Sequence, residues 1–339
     1  MIESVLSSLF TLENLLWINV GLAGGIMVGA LPGLTGTMAM ALLLPLTYGL
    51  ASIPGVMLLL GVYCGSIYGG SITAILINTP GTPASAATSL DGYPMAQKGH
   101  GLRALHDALS ASTIGGLFSC AVLLFAAPPI ASFALKFGPA EYFALALFGL
   151  TIIASVGGKS QIKGLLMGFV GLLISCIGID PMDGVSRFTF GINRMEGGID
   201  TIPVLIGLFA VSEMLQQCET GMHASYSKDD TLEVKNNVKF SLLHDFKGQI
   251  INVFRSALLG TFMGILPGVG GSAASLIAYS QAKSWSKHPE LLGTGVPEGL
   301  IASETSNNGL TGGALVPLLS LGIPGDSTTA VLIGAFMLQ

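Results

Sequence analysis

Charge is what this sequence has least of. Asp, Glu, Lys and Arg together make up 10% of its residues, where a soluble domain carries about 25%. Such a chain cannot coat a water-facing surface, which excludes an ordinary soluble globule. Basic patches interleaved with aromatics are missing too, and the net charge is −5, so no nucleic-acid partner is expected. Cysteine is limited to Cys64, Cys120, Cys176 and Cys218. Their wide separation argues against a disulfide framework or a metal-ligand set and assigns them to helix packing. His100, His106, His223, His244 and His288 form no metal spacing either. The chain has no Walker A pattern and no nucleophile-and-base set, so it is not read as an enzyme and no cofactor is expected. The N-terminus lacks a basic stretch; Glu3 and Glu13 precede the first apolar run, which argues against a cleaved signal peptide.

What is abundant is apolar sequence, 51% of the residues, and glycine, 47 of 339, without the strict period of collagen. Small residues in long apolar runs suit close helix packing in lipid. The expected fold class is an all-α polytopic membrane protein. Spanning helices need roughly 20 apolar residues. The candidate segments are Leu15–Ala30 with Leu34–Leu50, Ile53–Ile77, Leu105–Ala127, Tyr142–Val156, Gly164–Ile179 and Ile202–Leu215, then Ile250–Leu266, Gly268–Ala282, Gly299–Leu321 and a final run from Thr328. Leu90–Arg103 reads as a polar loop. Glu219–Lys247 is the long hydrophilic stretch and reads as a cytoplasmic linker, dividing the chain into residues 1–218, 219–249 and 250–339. Alternating loops put eight Lys and Arg on one side, including Lys98, Arg103 and the linker, against Lys136, Arg187 and Arg194 on the other. The richer side is expected to be cytoplasmic. Arg187 and Arg194 flank an interfacial loop.

Two apolar segments are broken by glycine and proline, and each break has a second copy. Gly29-Ala-Leu-Pro-Gly-Leu-Thr-Gly-Thr37 returns as Gly264-Ile-Leu-Pro-Gly-Val-Gly-Gly-Ser272, a displacement of 235 residues from Gly33 to Gly268. Asn78-Thr-Pro-Gly-Thr-Pro-Ala-Ser85 returns as Ile323-Pro-Gly-Asp-Ser-Thr-Thr329, a displacement of 244 from Pro80 to Pro324. Doubled breaks in the same order predict two related halves with re-entrant or interrupted helices, as in secondary carriers, where inverted repeats are common. The second half ends sooner after its last break than the first does, so the natural chain is expected to be longer.

Irregular backbone at membrane depth must be buried in protein or line a water-filled cavity. Half-helix N-termini at such breaks present N–H groups and partial positive charge to an anion. The candidate substrate and ion-binding residues are therefore those of the breaks. The first copies give Pro32, Gly33, Thr35, Gly36 and Thr37, with Asn78, Thr79, Pro80, Gly81 and Thr82. The second copies give Gly268, Gly270, Gly271 and Ser272, with Pro324, Gly325, Asp326, Ser327 and Thr328. Hydroxyls of Thr35, Thr37 and Ser272 are candidate Na⁺ ligands. The same hydroxyls fit ordinary helix capping, and Asp326 fits a cap and a cation ligand equally. Glu304, Asn307 and Asn308 join the set because ionisable and amide groups at membrane depth are costly and usually functional. Glu298 is divided evenly between function and a membrane-edge loop. The expected activity is a secondary carrier, with an ion or anion channel of similar architecture as the alternative.

These strings, with Tyr68-Gly-Gly-Ser-Ile-Thr-Ala-Ile-Leu-Ile-Asn-Thr-Pro-Gly-Thr-Pro-Ala84, Leu90-Asp-Gly-Tyr-Pro-Met95 and Leu321-Gly-Ile-Pro-Gly325, resemble the large membrane subunit of the tripartite tricarboxylate transporters over essentially the whole chain. The resemblance implies a multi-pass protein of the bacterial inner membrane. It implies two protein partners, a small membrane subunit and an extracytoplasmic solute-binding protein. Its implied substrates are citrate and related organic carboxylates, with uptake driven by an ion gradient, typically Na⁺. It also implies a chain usually longer than this one.

Overall fold

A computed structural model describes residues 9–141, 161–180, 183–199 and 248–338, with positions 7 and 246 and short pieces within 143–147 and 203–219. Most of the linker Glu219–Lys247 and of Tyr142–Val156, and part of Ile202–Leu215, lie outside these residues. The described chain is almost entirely helical. In chain order the helices are α1 Leu12–Gly29, α2 Gly36–Leu43, α3 Ser52–Ile77, α4 Ser89–Met95, α5 Gly101–Ala134, α6 Gln161–Ser175, α7 Ile250–Ile265, α8 Gly270–Trp285, α9 Pro297–Leu321 and α10 Ser327–Leu338. Two-residue strands β1 Gly178–Ile179 and β2 Ser186–Arg187 pair antiparallel. Leu12–Gly29, Ser52–Ile77 and the run Thr88–Phe133 are long and apolar enough to cross a membrane.

The surface carries apolar side chains in bands. Leu15, Leu16 and Val20 stand out from α1, Leu117, Leu124 and Phe125 from α5, and Ile251, Phe254, Leu258 and Phe262 from α7. Apolar exposure on this scale marks contact with lipid or another apolar surface. The chain is an all-α polytopic membrane protein. Its interior is organised around α9, buried without interruption from Gly299 to Leu318. That helix carries Ser303, Glu304, Thr305, Ser306, Asn307, Asn308 and Thr311 in the core, which reverses the usual soluble pattern of polar groups outside.

Glycine lets the helices approach backbone to backbone. A Cβ on Gly25 would lie 2.5 Å from the Val62 carbonyl oxygen and 2.8 Å from Val62 Cα. Gly21 and Gly29 of α1 meet Leu58 and Ser66 of α3 in the same way, and Gly61, Gly65 and Gly69 of α3 answer against Ile18, Leu22 and Ile26. The α7–α9 pair repeats the pattern. Gly25 meets Val62 and Gly260 meets Ser306; Gly29 meets Ser66 and Gly264 meets Leu310; Gly69 meets Ile26 and Gly313 meets Thr261. Every α7 partner stands 235 residues after its α1 counterpart, and every α9 partner 244 after its α3 counterpart. We expect Gly25→Leu to force α1 from α3 at a cost of about 1–3 kcal/mol or more, the usual range for overpacking. A lowered unfolding temperature in detergent checks this, and an unchanged one would mean the pair does not bear on stability.

The helix breaks follow from backbone chemistry. After Gly29 the chain turns through Pro32, whose ring cannot continue the helix, and through Gly33 at φ 92°. Gly268 sits at φ 84° after Pro267. The α3 helix stops at Asn78 in the left-handed region (φ 54°) and α9 at Gly322 (φ 69°), the usual C-terminal device.

Two expectations are corrected. The presumed polar loop Leu90–Arg103 is α4, a wide π-type turn at Ala96–His100 with Gly99 at φ 81°, and the start of α5. Its acidic residue is internal, since Asp91 is fully buried, while Gln97, Lys98 and His100 on the wide turn are exposed. The four cysteines are free and exposed rather than enclosed in the core.

Candidate functional site

Four chain breaks converge on one cavity of about 320 Å³. Its wall includes Thr35, Gly36 and Thr37 at the start of α2, and Gly270, Gly271 and Ser272 at the start of α8. Asp326, Ser327 and Thr328 contribute from the start of α10, and Thr82, Pro83 and Ala84 from the 3-10 turn that follows α3. Tyr63, Ser66 and Ile67 of α3 complete one side. The first four N–H groups of a helix have no partner within it. Three such termini, from helices of 8, 16 and 12 residues, therefore open into one small volume and favour negative charge there.

The walls are tied to each other. Thr37 Oγ1 lies 2.9 Å from Thr328 Oγ1 and 3.2 Å from Ser327 Oγ. The Gly268 N–H donates to the Gly325 carbonyl at 2.8 Å, and the Gly81 N–H to the Gly70 carbonyl at 3.1 Å. Gly81 packs on the Gly29 carbonyl and Gly325 on the Gly264 carbonyl, so each second break is seated on the first break of its own set. The Tyr63 hydroxyl donates to Asp326 Oδ2 at 2.6 Å, while Asp326 Oδ1 accepts from the Thr329 N–H at 2.7 Å.

Behind the α8 terminus stands Asn307, fully buried, with neither its Oδ1 nor its Nδ2 partnered. A Cβ built on Gly271 would lie 2.8 Å from that Oδ1, so the amide faces the cavity-lining glycine. A buried polar group without a partner costs about 1–3 kcal/mol, and such groups are retained where something else uses them.

Deeper in the core is Glu304, also fully buried. Its Oε1 accepts from Ser71 of α3 at 2.6 Å and from Thr88 at the start of α4, and its Oε2 accepts from Ser112 of α5 at 2.8 Å. Ion pairs among the described residues do not include it. Hydrogen bonds to a charged group contribute roughly 1.5–3 kcal/mol each. Taking one carboxylate out of water costs several kcal/mol after relaxation. With three hydroxyls the two effects are of the same size.

The description Tripartite tricarboxylate transporter TctA family belongs to a family model that matches residues 15–339. The chain belongs to this family. An uncharacterized 52.8 kDa protein in the TAR-I ttuC' 3′ region of Agrobacterium vitis is 41% identical over 327 residues, 96% of this chain and 64% of the relative. A second uncharacterized protein, in the TAR-II ttuC' 3′ region of Agrobacterium vitis, is 42% identical over 80 residues, 24% of this chain and 33% of the relative. The TctA-family chain described here thus spans just under two thirds of the length of the longer match. No solved structure matches.

The cavity gathers many of the residues singled out in this TctA-family sequence, but not all. Pro32, Gly33, Gly268 and Pro324 shape the turns outside it. Asn78 is an exposed cap, and Thr79 gives its hydroxyl to the Ile77 carbonyl at 3.2 Å. Thr79, Pro80 and Gly81 lead into the wall without lining it. Asn308 spends an amide hydrogen on the Glu304 carbonyl at 3.2 Å.

Asp326 N-caps α10 through the Thr329 N–H and is held by Tyr63, while it also lines the cavity. Thr35 also caps, accepting from the Met38 N–H at 3.1 Å. Glu298 accepts from Ser286 at 2.8 Å. Arg187 is engaged by Asp180 and, at 3.4 Å, by Asp183. The residues not singled out beforehand are Tyr63, Ser71, Thr88 and Ser112. Each is a small or amphipathic group inside an apolar helix or turn, where sequence alone does not distinguish a ligand from a back-bonded hydroxyl.

Proposed function

We propose that this chain is the large membrane subunit of a binding-protein-dependent secondary transporter that takes up tricarboxylates or related organic anions. The observation that carries this reading is the convergence of three helix N-termini on one cavity, with the unpartnered Asn307 amide directly behind the lining Gly271. That arrangement suits a carboxylate, which accepts hydrogen bonds and carries negative charge. The Asp326 carboxylate in the same wall would repel an anion unless a cation sits with them, which supports ion-coupled symport with Na⁺ as the expected ion and Thr37 and Ser272 as hydroxyls within reach of the cavity. The matched displacements of 235 and 244 residues, in sequence and in helix contacts, support two structurally repeated halves about the cavity, with residues 219–249 as their link. An inverted relation is the reading that brings both sets of helix N-termini to one depth. A small membrane subunit and an extracytoplasmic solute-binding protein complete the system in a bacterial inner membrane.

The test is uptake of labelled citrate into proteoliposomes that hold both membrane subunits, with the solute-binding protein outside and an inward Na⁺ gradient. Saturable, gradient-dependent accumulation is expected. Ohmic single-channel currents would instead make the protein a channel.

Asn307→Ala gives a sharper signature. Losing a hydrogen bond to a charged ligand should weaken citrate binding at least about tenfold. Removing an unpartnered buried amide should leave the ligand-free protein as stable or more so. Unchanged citrate affinity would take Asn307 out of the site.

A further inference from the structure

Glu304 does not line the cavity, yet a file of hydroxyls connects the two. Thr82, in the cavity wall, has its Oγ1 3.2 Å from Ser85 Oγ. Ser85 Oγ is 3.4 Å from Ser71 Oγ, which donates to Glu304 Oε1 at 2.6 Å. Ser71, Ser85 and Glu304 are fully buried, and Thr82 is 6% exposed. Gly70 keeps the file open, since a Cβ there would fall on Thr82 Oγ1 and 2.6 Å from Ser85 Oγ.

We propose that Glu304 is a proton-carrying site reached from the cavity through Thr82, Ser85 and Ser71, so that each transport cycle moves a proton with the organic anion. This rests on the carrier reading above. A carboxyl held in the core by hydroxyls alone, with its burial cost and its hydrogen bonds in near balance, is stable with and without its proton. Ionisable groups at membrane depth mark ion pathways and proton relays. The transfer balances atom by atom. A hydronium ion in the cavity protonates Thr82 Oγ1 as the Thr82 proton passes to Ser85, the Ser85 proton to Ser71 and the Ser71 proton to Glu304 Oε1. One O–H bond is lost on the hydronium, one forms on Glu304, and every hydroxyl is restored neutral.

The titratable group facing Glu304 is Tyr68 of α3. On the other elements packed nearby, Asp91 of α4 is bound by Tyr279 of α8, Arg103 and Asp107 of α5 pair at 3.8 Å, and Arg255 of α7 lies over Trp285. On α9 itself, Glu298 is held by Ser286. In the cavity wall itself, Asp326 is held by Tyr63 and caps α10; among the described residues Glu304 is the α9 carboxyl that hydroxyls join to the cavity.

Two measurements test it. Infrared spectroscopy of the purified two-subunit complex should show a protonated-carboxyl band that titrates with pH and is missing from Glu304→Gln. In the proteoliposome assay, internal pH should report protons entering with citrate. The ratio of protons to citrate should fall at least tenfold in Glu304→Gln, and proton entry should slow in Ser85→Ala.

A Glu304 signal that stays ionised throughout and shifts with added Na⁺ overturns the proposal in favour of a sodium site. Citrate uptake with no proton movement overturns it too, as does an unchanged ratio in Glu304→Gln. If the unaltered complex takes up no citrate while the Glu304 band still titrates, the carrier reading fails and the proton site stands.

Discussion

Gly271→Val abolishes citrate binding and uptake, while the protein still inserts and elutes as the unaltered complex does. The reason is local. A Cβ at this position lands 2.8 Å from Asn307 Oδ1 and 2.9 Å from the Ala84 side chain, both closer than real contacts allow. The amide and the 3-10 turn must retreat, and the two methyl groups occupy the volume in front of the α8 N-terminus. The ligand then loses Asn307 and the unpaired N–H groups of the first turn together. Two charge-assisted contacts at roughly 1.5–3 kcal/mol each amount to at least a hundredfold loss, at 1.4 kcal/mol per tenfold. Gly116→Val is the matched control, because a side chain there meets nothing within 4 Å. It should bind and transport as the parent does. Citrate binding measured on both variants by calorimetry decides the matter, and full-strength binding by Gly271→Val would remove the α8 terminus from the site.

That prediction starts from a glycine the sequence itself exposes. Pro32, Pro80, Pro267 and Pro324, with the glycines beside them, interrupt apolar runs next to where helices end, so the places where N–H groups become free are written in the chain. Repetition of the breaks was visible for the same reason. The contacts between the breaks were not, because seating Gly81 on Gly29 and Gly325 on Gly264 is a matter of packing between distant segments.

The Glu304 environment was half visible. A carboxylate inside an apolar run stands out by its cost, whereas Ser71, Thr88 and Ser112 carry no comparable signal, since hydroxyls are common in membrane helices as partners of their own backbone. Leu90–Arg103 was misread because charge density suggested water. Asp91 instead finds its partners on a segment two hundred residues away, which no local pattern announces. The cysteines were misplaced by a related assumption. An apolar neighbourhood in sequence does not say whether a side chain faces another helix or the lipid.

Asp91 is where the largest loss of stability is expected. Its Oδ1 accepts from the N–H groups of Gly293, Gly295 and Val296 at 2.9, 2.8 and 3.1 Å, and its Oδ2 from the Tyr279 hydroxyl at 2.9 Å. Gly293 and Gly295 adopt φ of 96° and 94°, turning their N–H groups into a nest around the carboxylate. This fixes the approach to α9 before its first turn and joins α4 to α8. Asp91→Ala leaves the half-buried N–H groups of Gly295 and Val296 and the buried Tyr279 hydroxyl without a partner, while the exposed Gly293 N–H can turn to water. At up to about 1–3 kcal/mol for each group that water does not reach, this is a large share of the 5–15 kcal/mol that keeps a typical domain folded. The alanine variant should fail to accumulate as a folded species or unfold many degrees lower in detergent. Asp91→Asn keeps an acceptor for the nest and a group of the same shape, and the Tyr279 hydroxyl can rotate to meet its amide, so it should retain most of the fold. Tyr279→Phe removes one bond of four and should cost least. Unfolding temperatures in the order parent, Tyr279→Phe, Asp91→Asn and, far below, Asp91→Ala are the expected result. An alanine variant as stable as the asparagine variant would show that the nest does not hold α9 in place. Because Asp91 lies outside the cavity wall, citrate affinity in the folded asparagine variant should stay near the parent value, which separates an anchor of the fold from a contact with the transported anion.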